Sequence, residues 1–242
     1  MERGEYERLA AVEERMWWFR GLHANLVAAL GEEGAPGRVL DAGCGTGGLL
    51  VRLAAAFPTT ERVGLELDRG AALLARAKGG GRLCVGSVDR LPFAEGAFDA
   101  VVSADVLCHQ GVDERRALAS FHRCLAPGGL LVLNLPAYRW LYSAHDAAVA
   151  NARRYDGGEV RRLVAEAGFA RVRTRHWNSL LFPLMALRRA LRRGRDAASE
   201  VALAPAPLEW AFGAALALER CLQRAGLWLP FGGSILVTAV KP

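Results

Sequence analysis

Short apolar runs alternate with helix-length stretches from Arg38 onward, and this alternation limits the possible folds more than any other feature of the chain. "RVLDAG" (38–43), "RVGLELD" (62–68), "RLCVGS" (82–87), "FDAVVSAD" (98–105), "LLVLNLP" (130–136), "FARVRTRHW" (169–177) and "SILVTAV" (234–240) read as seven strands. Between them, "GGLLVRLAAAF" (47–57), "AALLARAK" (71–78), "ERRALASFHRCL" (114–125) and "EVRRLVAEAG" (159–168) have helical spacing. Strands and helices in this order predict an α/β fold, a largely parallel sheet with helices on both faces. The 242 residues, 52% of them hydrophobic, suffice for the core of one such domain. Two connections break the alternation, 136–155 and 177–232. Long connections at the carboxyl edge of a parallel sheet are where substrate pockets are built.

The first strand runs into "VLDAGCGTGG" (39–48), a glycine turn that opens a helix. Gly43, Gly45 and Gly48 satisfy the dinucleotide spacing G-x-G-x-x-G, and Glu66 follows 18 residues after Gly48. A nicotinamide or flavin ligand therefore fits the glycines. It does not fit Asp41. A pyrophosphate at a helix N-terminus wants backbone N–H groups and no neighbouring anion. A carboxylate two residues before the first glycine favours a cationic ligand instead. S-adenosylmethionine has no phosphate and carries both a sulfonium and an α-ammonium group.

With that turn in place, the chain resembles the class I S-adenosylmethionine-dependent methyltransferases. The motifs that carry the resemblance are "VLDAGCGTGG" (39–48), "VGLELD" (63–68), "GSVDRLPF" (86–93), "FDAVVSADVLCH" (98–109) and "LAPGGLLVLNLP" (125–136), in the family's order. The resemblance implies a Rossmann-like seven-stranded sheet whose last strand is antiparallel between the fifth and sixth. It further implies one domain over 1–242, with an N-terminal helical lid (1–36), a cofactor-binding core (37–176), a helical insertion (177–232) and a terminal strand (233–242). By the same resemblance, Asp41, Gly43, Cys44, Gly45 and Gly47 surround the methionine moiety, joined by Ala104 and Asp105. Glu66 takes the ribose hydroxyls and Leu67 packs on adenine. Ser87, Val88 and Asp89 line the adenine edge; many members have Asp where this chain has Ser87. "RMWWFRGLH" (15–23) is expected to close over the cofactor, with Arg20 pairing with the methionine carboxylate.

Methyl transfer is an in-line displacement, so the protein must align a nucleophile and exclude water. A general base is needed only where the acceptor is protonated. His109 and His145 are the catalytic candidates, placed just beyond strand ends. Trp18, Tyr138, His145, Asp146, Arg154 and Tyr155 are the candidate acceptor contacts. The insertion is expected to cap an apolar acceptor pocket. Within it, "LLFPLMALRRALRRGRD" (180–196) sets Leu184, Leu187 and Leu191 against Arg188, Arg189, Arg192 and Arg193. Such a helix either packs its leucines on the domain or lies on an anionic membrane surface.

Charge is unevenly spread. Residues 151–195 hold 12 arginines against three acids, a segment of +9 in a chain of +6. That excess keeps a nucleic-acid methyltransferase open as an alternative, beside a non-catalytic cofactor binder. No N/D-P-P-Y/F follows the fourth strand and no recognition domain is evident, so a small-molecule or lipid-like acceptor is expected and nucleic acid is not. Five dispersed cysteines without a C-x-x-C pair suggest reduced thiols and no bound metal. The charged first residues lack an apolar signal segment. The expectation is a cytoplasmic monomer or homodimer, with peripheral contact to the inner membrane face.

Overall fold

Strands that must bury both faces read as continuous apolar runs, and the seven runs form one sheet. A computed structural model describes residues 3–32, 34–191 and 203–242. Its strands are β1 (Arg38–Ala42), β2 (Glu61–Glu66), β3 (Arg82–Val85), β4 (Phe98–Ala104), β5 (Leu125–Pro136), β6 (Ala170–Trp177) and β7 (Ser234–Val240). Their spatial order is β3-β2-β1-β4-β5-β7-β6. β7 runs antiparallel between β5 and β6, while the pairs from β3 to β5 are parallel. The helices are α1 (Arg3–Val12), α2 (Trp17–Gly31), α3 (Gly48–Ala56), α4 (Arg69–Lys78), α5 (Glu114–Cys124), α6 (Ala144–Ala148), α7 (Gly157–Glu166), α8 (Phe182–Leu191) and α9 (Ala206–Arg224).

One core lies between the sheet and α5 and α7, joining Leu40, Val101 and Leu133 to Phe121 and Val160. The other joins Val39, Val102 and Val132 to Leu26 of α2, Leu53 of α3 and Leu216 of α9. The helix expected to stop at Pro127 ends earlier, at Cys124. β5 begins at Leu125, whose pairing with Phe98 is separated from the main β4–β5 register by an irregularity. Asp68 caps α4 by accepting from Ala71 N–H at 2.8 Å, and Asp99 accepts from Arg38 N–H at 2.8 Å.

Because β7 is antiparallel, the chain leaves β6 and enters β7 at the edge where β1, β2, β4 and β5 end. The described parts of the insertion are thereby delivered to that edge. α9 fastens it to α2. The Glu209 carboxylate accepts from Trp17 N–H at 2.7 Å, and Phe212 meets Trp17 edge-on at 5.2 Å. At Gly21 a side chain would strike Leu216, so the two helices need that glycine to approach. Buried Glu219 accepts from the N–H groups of Ser179 and Leu180 at 2.7 and 3.1 Å, holding the start of the insertion. Leu184 and Leu187 of α8 are only partly covered, 53% and 57% exposed, and Leu184 borders the cleft. Arg192 and Arg193 lie outside the described residues.

The other long connection is organised by Asp146, which is wholly buried. Its carboxylate accepts from Arg154 Nε at 2.8 Å and from Arg189 at 3.2 Å, and also from Ser143 N–H and Oγ–H. Burial works to raise the Asp146 pKa, but the hydrogen bond and charge of Arg154, with Arg189 and Asn151, hold it below the usual carboxylate value. Removing one member of a buried ion pair strands the others, at a cost of about 3–5 kcal/mol. Asp146→Ala is therefore expected to destabilise the protein by about that amount in urea unfolding. The contribution is present above the ordinary carboxylate pKa and is lost as pH falls through the depressed value. An unfolding midpoint unchanged at neutral pH would show that the cluster is dispensable.

Candidate active site

At the carboxyl edge of the sheet lies one large cleft of about 2010 Å³. The ends of β1, β2 and β4 form its floor, and α1, α2, the 137–155 connection and the insertion form its walls. The glycine turn after β1 is bent by left-handed residues: Gly43, Gly45 and Gly47 have φ of 89°, 53° and 87°. L side chains are strained there. At Gly43 a Cβ would also strike Val106, whereas at Gly45 it would meet nothing within 4 Å. The turn therefore leaves space for a ligand beside its backbone. Gly47 caps α3 and is not among the lining residues. Gly48 makes room for side chains, since a Cβ there would fall 2.6 Å from Glu13 and 3.0 Å from His23.

Three carboxylates converge on this turn. Asp41 is 2% exposed, and its Oδ2 is buried with no hydrogen-bond donor among the described residues. Burial, then the neighbouring charges of Glu66 and Glu13, push the Asp41 pKa up to about 8. Glu66 is anchored by two backbone donors, Gly45 N–H on Oε2 and Asp68 N–H on Oε1, each at 2.9 Å. Glu13 accepts from the Thr46 hydroxyl and is paired with Lys78. A buried acid without a donor, beside two other acids, fits a cationic group and repels a phosphate. The α-ammonium of S-adenosylmethionine matches that donor set; the pyrophosphate of a dinucleotide does not.

Cys44 lines the cleft, and burial raises its thiol pKa, so it stays protonated. Leu67 is 69% exposed on the floor and offers a bare apolar face, next to Ser87 and the buried Val88. Ser87 Oγ accepts from Asp89 N–H at 3.2 Å. Asp89 turns away from the cleft, its Oδ2 accepting from Asp113 N–H. Ala104 and Asp105 line the end of β4, and Asp105 has a left-handed backbone, φ 53°.

His109 and His145 both line the cleft, as do Trp18, Asp146 and Arg154. Burial lowers the His109 pKa against the backbone carbonyls of Ala150 and Val149, keeping the imidazole neutral. Asp146 and Arg154 spend their hydrogen bonds on each other, on Ser143 and on Ala137 O, holding the wall in place. Besides Gly47 and Asp89, three more residues expected at the ligands lie outside the lining. Arg20 is exposed on α2. Tyr155 is buried, its hydroxyl donating within a pair of contacts to Leu107 O and Glu114 at 2.9 Å each. Tyr138 stacks on His176 with centroids 5.4 Å apart.

Further residues complete the site, and of these Glu13 and Asn134 carry no signal in the sequence. Glu13 and His23 press on the glycine turn from the N-terminal segment. Burial, then Arg52 and Lys78, drive the His23 pKa down to about 3. Asn134, wholly buried at the end of β5, holds Asp105. Leu181, Met185 and Phe212 bring the insertion to the cleft.

Comparison with known proteins agrees with this site. A family model described as a methyltransferase domain matches residues 40–133, the segment that carries β1 through most of β5. The malonyl-[acyl-carrier protein] O-methyltransferase of Geobacter sulfurreducens is 31% identical over 185 residues, 69% of this chain and 67% of that protein. The demethylmenaquinone methyltransferase of Thermus thermophilus is 38% identical over 110 residues, 43% of this chain and only half of that protein. An S-adenosylmethionine-dependent methyltransferase of Thermotoga maritima shares the fold across 99% of this chain and 95% of its own, with a TM-score of 0.64 at 20% identity. With the antiparallel seventh strand, the acidic glycine turn and these relatives together, the chain belongs to the class I S-adenosylmethionine-dependent methyltransferases.

Proposed function

We propose that the protein transfers a methyl group to a small amphiphilic acceptor held between the strand ends and the insertion. The observation that carries the cofactor side of this reading is the set of carboxylates about the glycine turn, with Asp41 Oδ2 lacking a donor. S-adenosylmethionine supplies a methyl carbon already activated by its sulfonium. Asp41 holds the ammonium group, and Gly43, Cys44, Gly45 and Gly47 shape the turn around the methionine part. Glu66 keeps lone pairs for the ribose hydroxyls after accepting its two backbone bonds. Leu67 packs on the adenine ring, with Ser87 and Val88 at its edge.

On the acceptor side the wall is apolar: Trp18, Leu181, Met185 and Phe212 face the cleft. Arg188 and Arg189 border the same wall, Arg189 with its charge already paired to Asp146. That pairing of apolar surface with cations suits an acceptor that has a greasy body and an anionic group. Two relatives are named for a malonyl-carrier conjugate and for demethylmenaquinone, neither of them a nucleic acid. His109 and His145 border the acceptor and contact it, and Trp18 helps to exclude water. Arg153, Arg154, Arg175 and Arg189 of the basic segment are engaged with Glu114, Asp146, Glu32 and Asp146, which argues against a stripe that tracks nucleic-acid phosphates.

A cation brought next to Asp41 favours its ionised form. At pH 7, below the free-state pKa of about 8, binding should release a proton, up to about one per site. Calorimetry with S-adenosylmethionine in buffers of different ionisation enthalpy reads this directly. Asp41→Asn should lose the release and bind roughly 10- to 100-fold more weakly, the loss of one charge-assisted bond. Proton-neutral binding, or a tight NAD complex, would sink the assignment.

The exposed leucines of α8 favour a second element of the reading, contact with an anionic bilayer surface through that helix. Among the described residues no helix is long and apolar enough to cross a membrane. Co-sedimentation with phosphatidylglycerol vesicles is expected, weakened at least about tenfold in a Leu184→Ser, Leu187→Ser variant. Equal behaviour of both proteins on anionic and neutral vesicles would remove the membrane contact.

A further inference from the structure

Asp105 is the first residue past β4 and sits in a left-handed conformation, φ 53°, which few residues besides glycine, asparagine and aspartate adopt. Its backbone N–H is tied to Asn134 O at 2.9 Å, and both its carboxylate oxygens accept from Asn134 Nδ2 at 3.0 Å. The orientation of that amide is not free. Trp177 Nε1–H donates to Asn134 Oδ1 at 2.7 Å, and an indole N–H can only donate. The amide oxygen must therefore face Trp177, and its NH₂ must face Asp105. Asn134 is wholly buried and Trp177 is 1% exposed, so neither bond competes with water. The ends of β4, β5 and β6 are thus joined by one directed chain of donors and acceptors, terminating in a carboxylate that lines the cleft.

A single neutral amide is a light hand on a carboxylate. It fixes the group in place without the several charged or backbone donors that would make it a very weak base. The charged and titratable groups around Asp105 are Arg154 and Asp146 from the 137–155 connection, and Cys108 and His109 from its own turn. Arg154 is committed to Asp146, and burial keeps the Cys108 thiol protonated. Asp105 remains the carboxylate at the acceptor side of the cleft with lone pairs to spare.

We propose that Asp105 takes the proton from the methyl acceptor, and that Asn134, itself oriented by Trp177, holds it in position to do so. The proposal rests on the methyltransferase reading and narrows the acceptor to one that reacts at an X–H group, a hydroxyl, an ammonium or an acidified carbon. The acceptor's proton passes to the Asp105 carboxylate as the X–H electron pair forms the bond to the methyl carbon. The electron pair of the breaking carbon–sulfur bond returns to sulfur, leaving S-adenosylhomocysteine, and Asp105 later yields its proton to water. Burial, partly offset by Asn134 and Arg154, lifts the Asp105 pKa to about 7, matched to work near neutrality.

The test uses the full chain and three measurements: calorimetry with S-adenosylhomocysteine, transfer of labelled methyl from S-adenosylmethionine into the small-molecule fraction of a cell extract, and carbon NMR of labelled aspartate carboxyls. Asp105→Asn should lose about 10²- to 10⁴-fold in transfer, far more than any change in its affinity for S-adenosylhomocysteine. The wild-type rate should rise with pH through neutrality, and that limb should vanish in Asp105→Asn. In the ligand-free protein two aspartate carboxyl resonances should titrate well above the ordinary range, those of Asp41 and Asp105; one of them should be absent from Asp105→Asn and move in Trp177→Phe, where nothing fixes the amide, while the other stays. Full transfer by Asp105→Asn, or an equal loss of S-adenosylhomocysteine affinity and transfer, would overturn the proposal. So would an Asp105 resonance that titrates in the ordinary carboxylate range and ignores Trp177→Phe. Failure of wild type to bind S-adenosylhomocysteine would instead strike the cofactor reading beneath it.

Discussion

Like charges buried around one turn set the terms for the rest of the molecule. Asp41, Glu66 and Glu13 meet at the glycine turn, and each is handled differently. Glu66 is stabilised by two backbone N–H groups, and Glu13 by Lys78 and the Thr46 hydroxyl. Asp41 has one oxygen with no donor and holds its proton to about pH 8. A buried, unsatisfied acid of this kind costs on the order of several kcal/mol. The folded state binds protons more tightly than the unfolded chain at Asp41 and Asp105, whose pKa values are both raised. Their contribution is therefore most favourable at acid pH and declines as pH rises from about 4 towards 7 or 8. Only a bound cation reverses that decline at Asp41. The site is complete only with a positively charged ligand.

The seventh strand converts this local device into an enclosed cleft. An all-parallel sheet would send each connection back across a face, away from the strand ends. Here the antiparallel β7 lets the chain turn at the carboxyl edge and place the insertion directly over it. α9 then grips α2 through Glu209 and Phe212, so the insertion and the N-terminal helices form one continuous wall. Asp146, with Arg154 and Arg189, stitches the remaining wall to α8.

Features confined to one strand and the turn after it were legible from the sequence. Asp41, Gly43 and Gly45 form one local unit, and the strand–turn pattern that sets the carboxylate beside the turn is written in seven consecutive residues. The strands and most helices were legible for the same reason, because each carries its own periodicity, whereas the place of β7 between β5 and β6 came from the family resemblance and not from any local pattern. Long-range pairing was not legible. Nothing near Glu13 in "AVEERMWW" signals that it will reach Thr46 and Lys78, 33 and 65 residues away. Arg20 is one helical turn from Trp17, and only the docking of α9 decides which of them faces inward. Tyr155 and Asp146 were plausible ligand contacts by position, yet their partners, Glu114 and the two arginines, lie on other elements. Asn134 shows the limit most clearly. It sits mid-pattern in an apolar strand, and its role exists only because β4 and β6 bring Asp105 and Trp177 to its two ends.

The N-terminal helices touch both halves of the site, and this ties the two chemistries together. Glu13 and His23 lie against Gly48 on the cofactor side. Trp18 lies 6.2 Å from Trp177, the residue that orients Asn134 and through it Asp105. Electrostatic interactions strengthen where water is excluded. A segment that seals the turn around the cofactor therefore also dries the indole–amide–carboxylate chain on the acceptor side. Withdrawing that segment would expose Asp41 and Asp105 to water together. Water would relieve the burial that raises both pKa values, leaving Asp41 less in need of a cation and Asp105 a weaker base. On the roles proposed for Asp41 and Asp105, cofactor affinity and proton transfer would be coupled through the packing of one pair of helices, without any bond running directly between the two carboxylates.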